Sequence, residues 1–550
     1  MKKILSTIAV LTLGIATLTS CADFLDTKPE GQPNQGGFFK TDKQAMDAIN
    51  AVYWIFDKEE TWGRNLFWEQ ACGDDMVFSK SRWPSMVNYQ FVGDESPLTD
   101  NWEVFTEYIS RANWLVAGLK NKGVDKLTVI EKRTLGEALF MRAFLHFHIA
   151  YRYGRVDQGV PFIRYEDGDG ALSTIPVQQA TVMENYKLIE KDLDEAAGYL
   201  PLFETYNSDN QGRAHKAATW ALKVKLYAYW AYHDATKWDL IPALVDKIET
   251  EGHRALLGNY ADVFKIKNNY SSEYIWSATG SGIPEGGPRF PGVCLVNKGW
   301  GIFNGWGSLK PTRSLWEEFD EGDTRRDISV FSYGMDFKYF GADQPFTDPA
   351  GDAIVSGFMF AKYMEPYSYG DRVLNDEGKL DPAKTVQSNP HVSRNGNDMT
   401  TDLNIPLIRH AEMVLFKAEA LIHQGKGGLA ATELNRLTSR CGLGNKYASA
   451  TMEDLMHERR CELSGEFTDR FMDLKRWKQY DKLNAVQYDR VPVDVSKPLS
   501  EENPLKEKVA IWPVGGKTRS FEPDFDLVFP YPPLEVTQAN GKLKQNPIGH

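Results

Sequence analysis

Two adjacent carboxylates, Asp74 and Asp75, follow Gly73 and precede Arg82-Trp83-Pro84, in a stretch (62–100) with little helical or strand periodicity. Paired carboxyls offer acid/base chemistry or oxygen ligands for calcium, while in a loop they are also ordinarily solvated. Trp83 precedes a proline, which disfavours helical backbone and projects the indole from an extended segment. A second aromatic loop runs from Trp276 to Pro311. Its glycines and prolines punctuate regular structure, yet it holds Trp276, Phe290, Trp300, Phe303 and Trp306. Such rings either anchor the loop in the body beneath or stand at a surface for a ligand. His146 and His148 lie on a helical pattern and suit packing as well as a metal. Asp167-Gly168-Asp169-Gly170 lacks the further ligands of an EF-hand. No cysteine spacing fits zinc, so no metal or cofactor is assigned, and structural calcium has no motif behind it.

The elements that must position these residues are mostly helices. Residues 102–120 and 131–153 are amphipathic, the second with Leu135, Leu139, Ala143, Phe147 and Tyr151 in one stripe. Thr41-Asp42 offers an N-cap for an earlier helix through Ile49 and Val52. Periodicity returns at 182–200, at 215–233 with an alanine stripe that admits a close neighbour, and more weakly at 241–257. Regularity then lapses over about 265–405, an interval of a length that is usually functional. Within it, Ser272 to Trp276 alternates like a short strand, which places the Trp276 ring inside. Helices resume at 410–424, 429–440 and 453–479, and the Pro- and Gly-rich tail after Pro492 packs back as short extended pieces. The prediction is a mainly α protein: tetratricopeptide-like helical pairs over about 102–257 and 410–479, with a large loop-rich insertion carrying the ligand site.

Composition limits the partners. Hydrophobic residues at 42% and charged residues at 25% are ordinary for a folded chain. A net charge of −12 argues against nucleic acid, which needs a basic footprint. Met1-Lys2-Lys3, the apolar run Ile4–Leu18 and Leu18-Thr19-Ser20-Cys21 have the form of a bacterial lipoprotein signal. Residues 1–20 are then removed, Cys21 carries the lipid, residues 21–40 form a tether and 41–550 one domain. Loss of Lys2 and Lys3 takes the net charge to −14. The four later cysteines, Cys72, Cys294, Cys441 and Cys461, allow three pairings, with buried thiols the default.

Taken in order, several pieces resemble the SusD-like (SusD/RagB) family of surface nutrient-binding lipoproteins over essentially the whole length. They are Cys21 with Asp23-Phe24-Leu25-Asp26 and Pro29; Trp102 with Tyr108 to Asn113; and Arg142-Ala143-Phe144, Phe147 and Tyr151 to Gly154. Ala411-Glu412 and Ala418-Glu419-Ala420 follow, then Glu458-Arg459, Glu462-Leu463, Glu466, Arg470, Asp473-Leu474 and Arg476-Trp477, and the ending Gln545-Asn546-Pro547. Two departures touch only scaffold: an extra residue between Glu466 and Arg470, and Ala214-His215 where a hydroxyl residue commonly caps the next helix. Glu458, Arg459, Arg470 and Asp473 are read as structural ion pairs and Trp102 as a packing residue.

The resemblance implies an outer-membrane lipoprotein facing the cell surface, serving as a lid on a SusC-like TonB-dependent transporter and delivering oligosaccharides to it. It places ligands on loops outside the helical repeats, which match 72–92 and the long insertion. Sugar C–H faces lie on aromatic rings, and sugar hydroxyls bond carboxylates, amides and guanidinium groups. Trp83, Trp300 and Trp306 are the expected stacking residues, with Phe303 and Cys294 as flanking apolar contacts. Asp74, Asp75, Arg82, Asn297 and Arg372 are the expected hydroxyl partners. An exposed site of this type binds at roughly micromolar to millimolar strength, about −8 to −4 kcal/mol. No catalytic residue is assigned. The competing readings are a binder of peptides or other non-glycan nutrients on the same scaffold, and a secreted glycoside hydrolase using Asp74 or Asp75 with a second carboxylate.

Overall fold

Two threonines open helices on which the rest is laid. The computed structural model describes residues 39–78, 84–162, 164–165, 178–280, 292–297, 305–339, 345–348, 356–365, 376, 402–510 and 519–549. Thr41, and not Asp42, caps α1 (Asp42–Tyr53) in a reciprocal box with Gln44, while Asp42 accepts from the Thr128 hydroxyl at 2.5 Å. Short α2 (Asn65–Gln70) and β1 (Met76–Phe78) follow. Helix α3 (Ser96–Lys122) starts at Ser96 rather than Trp102, because Pro97 sits in the first turn, where its missing N–H leaves no bond unmade. Trp102 is buried edge-on to Tyr153 and Tyr531, as a packing residue. Thr128 and Glu131 form a second capping box at the start of α4 (Val129–Tyr153).

The stripe predicted for α4 is buried, but it is only part of what this helix buries. Thr134 to Tyr153 are buried on every face, since α1, α3 and α5 (Val182–Tyr199) all pack on this helix. Its polar positions tolerate burial because they are paired. Arg142 donates to both oxygens of Asp192 at 2.8 Å and to Asn113 at 2.8 Å. His146 stacks on Phe162 with centroids 3.8 Å apart, and His148 lies among Trp62, Phe105 and Phe144. Both histidines are packing residues.

Successive helices then lean on one another: α5 on α6 (Lys216–Trp230), and α6 on α7 (Ile241–Thr250). His215 gives α6 no side-chain cap. Instead its Nε2 meets the Ile275 carbonyl at 2.6 Å, tying the helix to β2 (Tyr274–Ala278). Trp276 on β2 is buried edge-on to Phe56, Phe140 and Phe144, as alternation predicted. The interval to residue 405 also holds β3 (Leu309–Pro311), β4 (Val330–Ser332) and β5 (Phe358–Phe360), and ends at β6 (Ile405–Arg409). The pairs β1–β3, β2–β6 and β4–β5 are antiparallel and two-stranded. β6 leads into α8 (His410–His423), which packs on α7, α9 (Gly427–Thr438) and α10 (Met452–Leu463). The helix predicted as continuous over 453–479 breaks before α11 (Arg470–Arg476), at Gly465 (φ +73°) and Asp469 (φ +62°). β7 (Tyr488–Pro492) and β8 (Leu505–Val509) form a closing hairpin. The tail folds back: the Asn546 amide donates to the Tyr153 and Phe529 carbonyls at 2.8 Å each.

Paired charges knit these layers. Arg459 reaches Asp473 at 2.6 Å and Glu412 at 2.9 Å, and Arg325 reaches Glu458 at 2.8 Å, so the charged motif is structural as expected. All four described cysteines are buried thiols.

Phe39, the first residue described, packs against Gly118 and Trp114 of α3. A Cβ on Gly118 would lie 2.1 Å from the Phe39 ring. Gly118→Ala is therefore expected to expel Phe39, losing about 1.5–3 kcal/mol of local docking, while the helix itself gains about 1 kcal/mol. Faster proteolysis near residue 39, with unchanged circular dichroism, is the expected readout; an unchanged cleavage rate would contradict it.

Candidate ligand-binding site

The register of β1 with β3 decides which loops meet. Met76 lies opposite Pro311, Val77 opposite Lys310 and Phe78 opposite Leu309. Antiparallel strands send the residues after Phe78 and those before Leu309 out of the same end of the pair. In the sequence Phe78 is followed by 79–83, with Arg82 and Trp83, and Leu309 is preceded by 305–308 and, before these, by 298–304, with Trp300 and Phe303. These four side chains, with Arg372 and Cys21, lie outside the described residues.

The ladder is extended by Thr312, whose N–H donates to the Asp75 carbonyl at 3.0 Å and whose hydroxyl donates to the Asp74 carbonyl at 2.8 Å. The described residues on either side of 298–304 are joined as well. Gly307 N–H donates to the Val296 carbonyl at 2.8 Å and Ser308 N–H to the Cys294 carbonyl at 2.9 Å. At Gly305 a Cβ would stand 2.0 Å from the Val296 oxygen, so only glycine admits this approach.

Several predicted contacts turn out to be parts of this base. Asp74 and Asp75 are buried, 3% exposed each, and are not loop carboxylates open to a ligand. Arg470 grips both oxygens of Asp74 at 2.8 and 3.0 Å, and Arg460 meets Asp75 at 2.7 Å and Asp74 at 3.4 Å. Burial pushes Asp74 upward, but Arg460 and Arg470 outweigh it and hold the group well below the usual carboxylate range. Burial lifts Asp75, with the same arginines opposing and Asp74 adding. Guanidinium groups, not a sugar hydroxyl or a calcium ion, occupy these oxygens. Cys294 is fully buried in the main core and so is no flanking contact at a surface. Asn297 is also fully buried: its carbonyl accepts from Lys310 Nζ, and its N–H contacts Met359 Sδ at 3.2 Å. It braces the loop from below.

Trp306 is the one predicted stacking residue that is described. It is half-buried, packed between two hydrophobic clusters, with the Arg64 guanidinium 5.6 Å from its ring centroid. It is therefore not a bare platform face, because a cation already covers ring surface that a sugar would need. Arg64 also lies over Trp68 at 5.0 Å and pairs with Glu59 at 3.2 Å. Sequence reading missed Arg64. The signal was conformational: a π-type turn over Glu59–Gly63, with non-helical Thr61 and a Gly63 whose Cβ would meet the Lys58 oxygen at 2.5 Å, turns Arg64 under Trp306.

Among the described residues, Asp320, His457 and Glu458 converge as a metal site would require, but the Lys446 ammonium already bonds both carboxylates.

With that geometry in place, likeness to known proteins is informative. Residues 272–549 match the model of the SusD family, and residues 23–228 match one described as starch-binding, associating with the outer membrane. A SusD-like protein of Bacteroides ovatus is 24% identical over 498 residues, spanning 86% of this chain and 83% of the relative. A SusD-like protein of Bacteroides fragilis superposes with a TM-score of 0.71 at 19% identity, covering 92% of this chain and 97% of that one. Surface glycan-binding protein A of Bacteroides thetaiotaomicron, solved with laminarihexaose, superposes with a TM-score of 0.65 at 19% identity, covering 92% and 99%.

Proposed function

Because the chain belongs to the SusD family, we propose that it is a surface glycan-binding lipoprotein, anchored in the outer membrane through Cys21, that captures oligosaccharides for a SusC-like TonB-dependent transporter. The observation that supports this reading is the register of β1 with β3, which sets Phe78, the residue before the stretch 79–83, beside Leu309, which follows the stretch 298–308. The glycan bound by the laminarihexaose-binding neighbour supports the ligand class, and the family description of outer-membrane association supports the location. Trp83 and Trp300 supply the stacking faces, Phe303 an apolar flank, and Arg82 and Arg372 the hydroxyl partners. Asp74, Asp75, Cys294 and Asn297 build the base instead.

Alanine at Trp83 or at Trp300 removes a stacking face and is expected to cost about 2 kcal/mol or more, roughly thirtyfold in affinity. From a starting affinity near millimolar, that is loss of detectable binding. A glycan-array or affinity-gel screen supplies the ligand, and calorimetry on both variants, with circular dichroism to show folding, supplies the comparison. Unchanged affinity in both would remove this site. A screen in which peptides bind and glycans do not would move the reading to a peptide carrier on the same scaffold, and reducing-sugar release from a substrate panel would reveal a hydrolase.

A further inference from the structure

A cavity of about 460 Å³ opens on another part of the molecule, between the C-terminal ends of α4 and α6, the α5 helix and the end of α11. Its walls are aromatic: Tyr151, Tyr186, Tyr229, Tyr232 and Tyr480 line it. Its charges are all of one sign. Arg155, Lys475, Arg476 and Lys478 line it, and no carboxylate does among its described residues. Just outside the lining, Arg155 pairs with Asp157 at 3.1 Å, and Arg476 with Glu419 at 2.5 Å and Asp473 at 2.7 Å. In a chain of net charge −12, a described lining with cations and no carboxylate still runs against the average field.

Tyr151 donates to Asp469 at 2.9 Å and Tyr232 to Glu419 at 2.7 Å, but three other polar groups of this wall are unsatisfied. Lys475 is 5% exposed and its Nζ has no hydrogen-bond partner. The amine rests 4.1 Å from the Phe471 ring centroid and 5.2 Å from that of Phe529. Tyr229 is 6% exposed, and its hydroxyl likewise has no partner. Arg476 spends Nε on Asp473 and Nη1 on Glu419, leaving Nη2 without one. Behind the wall, Arg152 engages Glu69 at 2.6 Å and one oxygen of Asp469 at 2.9 Å, the other Asp469 oxygen has no hydrogen-bond partner, and Asp526 accepts from the Glu522 N–H at 2.7 Å. Burial pushes the Lys475 amine down to about 8, with Asp469, Cys72 and Glu69 opposing. A buried amine and a buried hydroxyl left without acceptors are costly to keep, and an acceptor-rich ligand resolves both at once.

We propose that this cavity binds a carboxylate carried on a single ring, with the ring between the tyrosines and the carboxylate on Lys475, Arg476 and the Tyr229 hydroxyl. The volume lies in the range of about 300–1,000 Å³ typical of small-ligand pockets, too small for a polysaccharide chain. Sugar acids and aryl acids share this chemistry.

The test uses the full mature chain and three probes: glucuronate, benzoate and neutral glucose, each titrated by calorimetry. At least one acid is expected to bind and glucose is not, and which acid binds identifies the source. Lys475→Met, which keeps the length and apolar stem, is expected to weaken acid binding at least tenfold, and Tyr229→Phe about threefold. Trp300→Ala is expected to leave it unchanged, which separates this cavity from the loop platform. Should Lys475→Met fail to fold by circular dichroism, Tyr229→Phe decides. Failure of both acids to bind the wild-type chain, equal binding of glucose, or full affinity in folded Lys475→Met and in Tyr229→Phe would overturn the proposal.

Discussion

Arg409→Ala is expected to destabilise the protein by about 3–5 kcal/mol, the scale for removing one member of a buried ion cluster. Arg409 ends β6 with its side chain 1% exposed and reaches Glu273 at 2.6 Å, Glu462 at 2.7 Å and Glu466 at 2.9 Å. Arg440 still faces Glu273 at 2.6 Å, and Lys362 still faces Glu466 at 2.8 Å. The variant therefore keeps its partial neutralisation and loses the central cation, leaving excess negative charge where water cannot solvate it. Urea denaturation at pH 7 measures the loss, and a shift below about 1 kcal/mol would contradict the assignment. The pH dependence follows from the same contacts. Burial raises Glu462 and Glu273, but Arg440 and Arg409 outweigh it and hold both below the ordinary carboxylate range. A folded pKa below the unfolded one gives stability that is present above about pH 4.5 and drains away as pH falls. Glu249 and Glu318, each held at about 2, lose their contribution over the same window. In Arg409→Ala the freed carboxylates titrate higher, so the gap between variant and wild type is expected to narrow below pH 4.5.

Arg460→Met is expected to damage both scaffold and binding, through one contact set. Arg460 donates to Asp75 at 2.7 Å, to Glu318 at 2.6 Å, to the Ser314 hydroxyl at 2.9 Å and to the Asp74 carbonyl at 3.2 Å. Its loss strands two carboxylates, again about 3–5 kcal/mol, and frees the backbone that leads into β1. Because the sequence runs from β1 directly into 79–83, with Arg82 and Trp83 of the proposed site, glycan affinity should fall at a temperature where the variant is fully folded. Arg470→Met, which releases Asp74 and only a 3.9 Å contact to Asp75, should lose less affinity. Arg460 is a positioning residue, so the informative readout is affinity per folded molecule. Stability lost with affinity intact would show that the base does not set the loop.

Helices were legible where local pattern sufficed: α6, α8 and the stripe of α4 follow from residue spacing. The full burial of α4 was not, because Arg142 is neutralised by Asp192 on another helix. The strands of the insertion span only three to five residues, too few for alternation to stand out. Asp74 and Asp75 read as a solvated loop because their partners lie 396 and 385 residues away. No local signal announces such a pair. Trp306 failed for a similar reason, since its covering cation, Arg64, comes from a kinked turn far upstream. Aromatic residues set among Gly and Pro were visible in the sequence, but the strand register that sets Phe78 beside Leu309 was not.

The closed base of the 298–304 loop has a consequence for how such a site changes over generations. Gly305, Gly307 and Ser308 fasten the loop's exit to its entrance at Cys294 and Val296. Residues inserted or deleted between these fastened ends leave the ion pairs of Asp74 and Asp75 undisturbed. Under the proposed function, ligand preference then changes by rewriting the seven residues 298 to 304, while selection on the chassis stays the same.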